Sequence, residues 1–132
     1  MAVTNLNNKK ENFDTGMDNV VIVDNFQSIR GGRSLNVMGY PKDVIKAGHV
    51  IIKDTSTGDY KPMPLDSGGT EYGELPVSHA YAGILISTVA KDKPFAGIMV
   101  RGTVNPNATP FKMTSILEAV KTALPHIDFR AD

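Results

Sequence analysis

The sequence predicts a mainly β fold, formally α+β, with one helix near the C-terminus. Short runs rich in β-branched residues recur along the chain, and Gly, Pro, Asn and Asp separate them, which is typical of strands joined by turns. One later stretch instead carries the apolar spacing of a helix. At 132 residues, the chain is expected to form a single domain, residues 20–132, behind an N-terminal arm of residues 1–19.

The first 19 residues are polar and rich in Asn, with five Asn between Asn5 and Asn19. Such a segment buries too little apolar surface to offset the entropy lost on ordering, so we predict a mobile arm. Its sizeable apolar residues are Leu6, Phe13 and Met17. Two interpretations stay open: a plain disordered terminus, or an arm that orders on a partner.

The predicted extended segments follow in order, each bounded by turn residues. They are residues 20–23, 35–38, 49–53, 60–65, 81–89, 95–104 and 127–129. Pro62 and Pro64 restrict the fourth of them to a sheet edge, because proline cannot donate to a ladder. Gly58 is predicted to adopt positive φ in the turn before it.

Residues 114–124 form the one predicted helix. Its apolar residues recur at helical spacing, and Glu118 follows Ser115 by three residues, the spacing of a capping box. Pro125 ends the helix.

Composition removes several classes of protein. Lys plus Arg and Asp plus Glu number 14 each, so no overall field favours nucleic acid or an anionic membrane. Cysteine is absent, which excludes disulfides and thiolate metal sites. No window reaches the ~18 apolar residues of a membrane span, and the first residues lack the apolar core of a secretory signal. We therefore expect a soluble protein made in a cytoplasm, without nucleic-acid or membrane partners.

No residue pattern indicates catalysis or a cofactor. His49, His79 and His126 are far apart in sequence, and each is predicted to be a surface or half-buried strand residue. Ser87 is predicted to lie within a strand, where no nucleophile elbow forms. Three acidic residues could supply an acid–base pair, but they are predicted to lie in a polar, solvated loop. They are Asp66, Glu71 and Glu74. An enzyme is not expected.

Residues 30–33, Arg-Gly-Gly-Arg, are the nearest approach to an anion-binding loop. The glycines let backbone N–H groups point outward and the two Arg suit phosphate or carboxylate, but the spacing of a P-loop is missing. The alternatives are a short turn between strands and an interface loop, in which Arg30 and Arg33 reach a neighbouring subunit.

Four segments taken in order resemble the head decoration proteins of tailed bacteriophages. They are residues 47–51 (AGHVI), 57–63 (TGDYKPM), 81–85 (YAGIL) and 100–105 (VRGTVN). The last helix and the following residues 124–130 (LPHIDFR) also resemble the closing part of that family. Residues 20–40 have no match in the family pattern, and His49 stands where the family has Thr.

The resemblance implies a compact β-barrel or β-tulip-like domain that forms a homotrimer on the outside of an assembled capsid. Its partner would be the major capsid protein, its location the virion exterior, and its role to stabilise the shell. Leu6, Phe13 and Met17 would then be capsid contacts on an arm that orders on the shell. The alternatives are a fibre or tail module, and a small enzyme or ligand-binding barrel that uses Glu71, Glu74 and the three His.

Overall fold

A computed structural model describes residues 14–131 of the chain. In this part the chain forms ten strands and two short helices. In chain order they are α1 (Asp18–Val21), β1 (Ile22–Ser28), β2 (Arg33–Ser34), β3 (Val44–Ile45), β4 (Val50–Asp54), β5 (Tyr60–Pro62), β6 (His79–Leu85), β7 (Val89–Ala90), β8 (Phe95–Ala96), β9 (Ile98–Val104), α2 (Leu117–Ala123) and β10 (Ile127–Phe129). The mainly β prediction is confirmed.

The main sheet has six strands, of which five run in the order β1-β9-β6-β4-β5. These five pair antiparallel, whereas β10 pairs parallel with β9 through Ile127 and Gly102. Two small ribbons, β2-β8 and β3-β7, lie outside this sheet. Strand β9 thus has β1 along one side, with β6 and then β10 along the other.

The strands described here do not close into the predicted barrel. Strands β1 and β5 are the two ends of the main sheet, and they do not pair with each other. The free side of β5 is occupied instead by the chain at Leu35, which bridges Tyr60, while the Asn36 N–H donates to the Tyr60 carbonyl (2.8 Å). The architecture is therefore an open sheet with two added ribbons.

The main sheet is buried on both faces. Val50 and Ile52 of β4 belong to one apolar cluster, which also includes Val120 of α2. Ile51, between them, belongs to a second cluster with Leu85. Successive side chains of a strand point to opposite faces, so the two clusters cover opposite sides of the sheet. This explains why the central strands read as continuous apolar runs rather than alternating ones.

The first element differs from its prediction. Val20 and Val21 form the end of the helical turn α1, and the first strand begins only at Ile22. The β-branched run predicted a strand, but Val21 is held by tertiary contact: it is 1% exposed and lies directly against Gly48. Tertiary packing overrides local propensity at this point.

The C-terminal helix is shorter than predicted. Residues 114–116 form a turn, α2 begins at Leu117, and Ile116 rather than Ser115 is its N-cap. No side-chain hydrogen bond from the described residues caps it, so the predicted capping box is wrong. The Met113 carbonyl instead accepts the Ile116 and Leu117 N–H groups. The last strand, β10, is confirmed.

Two further local predictions have different outcomes. Ser87 lies in a bend between β6 and β7, and the predicted strand 81–89 is divided there. The turn after β4 is confirmed: Gly58 has φ of 81°, and its N–H donates to the Asp54 carbonyl (2.8 Å).

Two of the three Ala-Gly steps of the sequence, Ala82-Gly83 and Ala96-Gly97, meet different surroundings. A Cβ on Gly83 in β6 would overlap the Met99 carbonyl oxygen and the Ile98 side chain of the adjacent strand β9. A Cβ on Gly97 would meet the Ile86 side chain at ordinary contact distance, 3.4 Å. Close backbone approach therefore requires glycine at Gly83 and not at Gly97.

We predict that Gly83→Ala lowers the free energy of unfolding by about 2 kcal/mol or more, because the backbone of β9 must move away. Gly97→Ala, the matched control, should change it by less than about 1 kcal/mol. Guanidinium unfolding measures both. Equal effects of the two substitutions would contradict the described approach of β6 to β9.

Candidate functional site

The segment before β1 is fixed to the domain by a carboxylate. Asp18 accepts hydrogen bonds from both the N–H (2.9 Å) and the hydroxyl (2.7 Å) of Thr88. The Thr88 hydroxyl in turn accepts the Ala47 N–H (3.0 Å). Lys46 also donates to the Asp14 carbonyl (2.5 Å). Residues 14–19, which were assigned to the arm, therefore contact the domain through specific polar bonds.

The three predicted capsid-contact residues have separate outcomes. Met17 directly precedes α1 and is 52% exposed, so its side chain is available to a partner. Leu6 and Phe13 lie outside the described residues.

Several large apolar side chains are exposed on the described surface. Along α1 and β1 these are Met17, Val20, Val23 and Phe26, and elsewhere they are Met38, Val77 and Phe95. Met38 and Val77 have more than nine tenths of their surface exposed. Apart from Met17, nothing in the sequence distinguishes them, because periodicity in short strands does not separate core from contact surface.

The Arg-Gly-Gly-Arg loop is a tight turn held by its own arginine. Gly31 and Gly32 both have positive φ, and the Gly32 N–H donates to the Ile29 carbonyl (3.2 Å). One guanidinium nitrogen of Arg33 donates to the carbonyls of Arg30 (3.0 Å) and Gly32 (2.6 Å). Both Arg are exposed. This geometry is compatible with both alternatives that the sequence left open, a short turn between strands and an interface loop.

His49 is a core residue, so its predicted surface or half-buried position is wrong. It has no exposed surface and is surrounded by aromatic rings, with centroid distances of 5.6 Å to Tyr40, 5.1 Å to Tyr72 and 5.6 Å to Phe111. Its Nε2–H donates to the Met63 carbonyl (2.9 Å), which fixes the tautomer. Its Nδ1 has no hydrogen-bond partner among residues 14–131.

Burial lowers the pKa of His49 to about 4, although the hydrogen bond to the Met63 carbonyl opposes this shift. The ring is therefore uncharged at neutral pH. Burial also raises the pKa of Tyr40 to about 12, and it raises that of Tyr72 further. These groups form an uncharged, close-packed centre rather than an acid–base pair, since burial keeps all three rings neutral at neutral pH.

A second polar group forms where β4, β5 and β6 meet. Asp54 and His79 are cross-strand partners, and the Lys61 ammonium lies 3.2 Å from Nε2 of His79 and 3.8 Å from the Asp54 carboxylate. Nδ1 of His79 donates to the Val77 carbonyl (2.9 Å), so Nε2 accepts from Lys61. Hydrogen bonds from Ser56, first from its hydroxyl and then from its N–H, hold the pKa of Asp54 well below its usual range.

This polar group borders a half-open cavity of about 420 Å³. Lys61, His79 and Asp66 contribute its polar lining, while Tyr40, Ile52 and four prolines are among its apolar walls. Nothing in the sequence indicates this group, because the cross-strand pairing of Asp54 and His79 depends on strand register.

The remaining acids stay dispersed. Asp66, Glu71 and Glu74 are exposed in the loop after β5, as predicted. Asp66 accepts N–H bonds from Thr70 (3.1 Å) and Glu71 (3.4 Å), a role in loop structure. Glu71 lines a different cavity with Lys112. Within residues 14–131, no group of three or more His, Asp or Glu could hold a metal ion, and no helix is long and apolar enough to cross a membrane.

No family model matches the chain, and neither a curated protein nor a solved structure is significantly similar to it.

We predict that stability falls as the pH drops from 6.5 to 4. The unfolded chain binds a proton at His49 with a pKa near 6.5, whereas the folded protein does so only near 4. The unfolded state therefore binds more protons than the folded state in this window. Titration of His49 alone should lower the free energy of unfolding by about 3 kcal/mol by pH 4. Chemical unfolding at several pH values measures this loss.

The matched variants are His49→Phe and His126→Gln. The first should flatten the slope of stability against pH between 4 and 6.5, whereas the second replaces an exposed His and should leave it unchanged. An unchanged slope in His49→Phe would show that His49 is not the source.

We predict that Asp18→Ala lowers the free energy of unfolding by about 1–3 kcal/mol, since it leaves the N–H and hydroxyl of buried Thr88 without their acceptor. Asp24→Ala, an exposed position on β1, serves as control and should cost less than about 0.5 kcal/mol. Similar losses in both variants would exclude a specific role for Asp18.

Proposed function

We propose that the protein is a non-enzymatic structural protein of a tailed phage, or of a prophage-derived particle. In this proposal it binds the outside of the assembled capsid as a homotrimer and stabilises the shell. Its partners are the major capsid protein and its own copies, and its finer architecture is that of a β-tulip-like decoration domain. It is made in the host cytoplasm and located on the virion exterior.

The observation that carries the proposal is the exposure of large apolar side chains on a small domain. Met38 is 92%, Val77 91% and Phe26 72% exposed. Single exposed apolar residues are common, but several nearly complete exposures on one small domain favour surfaces that a partner covers. A protein that works within an assembly has such surfaces in several places.

The placement of the resembling segments also supports the proposal. Residues 47–51 lead into and begin β4, residues 57–63 contain β5, residues 81–85 lie in β6 and residues 100–105 lie mainly in β9. These strands are consecutive in the main sheet, in the order β9-β6-β4-β5. Segments that are separated in sequence thus form one continuous structural unit.

The mechanism would be mechanical. A trimer engages several capsid subunits at once, so weak contacts add through effective concentration. The arm, with Leu6, Phe13 and Met17 as contacts, would lose entropy on the shell, and strand addition to a capsid sheet edge would offset that loss. The Asp18–Thr88 bonds hold the segment that carries Met17 against the domain, which reduces the number of residues that must be ordered.

The cavity beside His79 favours a second candidate, a small-ligand binding protein. Its volume of about 420 Å³ lies within the range of ligand sites, and Lys61 and Asp66 offer a donor and an acceptor against apolar walls. This alternative predicts saturable binding of a small molecule and no association with capsids. A fibre or tail module, the other alternative, would also fail to bind heads.

The test begins with the solution mass of the purified protein and continues with co-sedimentation on expanded phage heads. We expect a trimer, or a monomer that becomes trimeric on the shell, in the pellet with the heads. The variant Phe26→Ser should reduce the pelleted fraction, because it removes an exposed apolar contact without disturbing the core.

The control Lys121→Ser changes an exposed residue of α2 and should pellet like the unaltered protein. Protein that stays in the supernatant with every type of head would contradict the proposal and favour the alternatives.

A further inference from the structure

Three separate segments bring basic and aromatic side chains together on one surface. The guanidinium carbon of Arg33 (β2) lies 5.7 Å from the centre of the Tyr60 ring (β5), and the ammonium of Lys53 (β4) lies 5.4 Å from it. Both distances are within the range of cation–π attraction. Lys53 and Tyr60 are cross-strand partners, so the β4-β5 pairing fixes this geometry.

The loop 30–33 extends this surface. Phe95 pairs with Ser34 across the β2-β8 ribbon, so its exposed ring lies on the face of the ribbon opposite Arg33. We name the surface formed by Arg30, Arg33, Lys53 and Tyr60 the basic–aromatic strip.

The guanidinium of Arg33 is oriented before any partner arrives. Nη1 donates to the carbonyls of Arg30 and Gly32, which hold the group in place. Nη2 and Nε have no acceptor within residues 14–131, and they remain available to a bidentate partner. Pre-orientation lowers the entropic cost of binding such a partner.

Among residues 14–131, no carboxylate forms an ion pair with the cations of the strip, Arg30, Arg33 and Lys53, whereas Lys61, next to Tyr60, pairs with Asp54. The chain as a whole carries equal numbers of acidic and basic residues, so this excess of positive charge is local. A local excess of positive charge fits a complementary, acidic patch on a partner.

We infer that the basic–aromatic strip binds an acidic segment of another protein. One carboxylate accepts from the free N–H groups of Arg33, and a second contacts Lys53. Tyr60 is half-buried and already contacted by two cations, so it offers no open face for stacking a nucleotide base. This inference is independent of capsid binding.

The test is fluorescence anisotropy with a labelled octapeptide of eight Glu. We expect saturable binding that weakens about tenfold when NaCl rises from low to physiological concentration. The double variant Arg33→Gln/Lys53→Gln should weaken binding about tenfold, whereas Phe95→Ser, on the other face of the ribbon, should leave it within about twofold. A peptide in which Gln replaces every Glu should not bind.

Lys112→Gln/Lys121→Gln is the matched control, because it removes the same net charge from exposed positions outside the strip. It should bind the peptide within twofold of the unaltered protein, and thermal unfolding should show every variant folded. Equal weakening by both double variants, the absence of saturable binding, or tighter binding of a single-stranded DNA of similar charge would each overturn the inference.

Discussion

Burial of the central strands on both faces of the sheet is the constraint on which the rest of the structure depends. Ile51 and Ile52 of β4, Ile84 and Leu85 of β6, and Ile98 and Met99 of β9 are all at most 1% exposed. Neighbouring residues of each pair serve opposite clusters, so a one-residue slip of register would exchange the two cores. Gly83 permits the approach of β6 to β9 that this packing needs.

The structural features that depend on neighbouring residues along the chain could be predicted from the sequence. Continuous apolar runs predicted the central strands, Gly58 predicted the turn after β4, and alternation predicted β10. Features that depend on distant partners could not be predicted. Val21 enters a helical turn because it packs against Gly48, and His49 can be buried because the Met63 carbonyl, 14 residues away, accepts a hydrogen bond from its Nε2–H. The barrel prediction was wrong for the same reason: the chain at Leu35 occupies the free edge of β5.

The candidate surfaces also combine features that neighbouring residues determine with features that depend on distant partners. The Arg-Gly-Gly-Arg motif left a short turn and an interface loop as alternatives. Its glycines adopt the positive φ of a tight turn, and two of its carbonyls orient Arg33. Lys53 and Tyr60 join it only through sheet register, which spacing along the chain does not reveal. Exposed residues such as Phe26 and Val77 are likewise unremarkable in the sequence and become informative only when burial is known.

In the proposed function, the exposed apolar residues and the N-terminal segment of the protein hold a larger shell together. Heat-induced release of DNA from expanded, filled heads that lack decoration tests this role most directly, with and without added protein. We predict that bound protein raises the release temperature until all sites on the head are occupied. An unchanged release temperature on heads that demonstrably carry the protein would contradict a stabilising role.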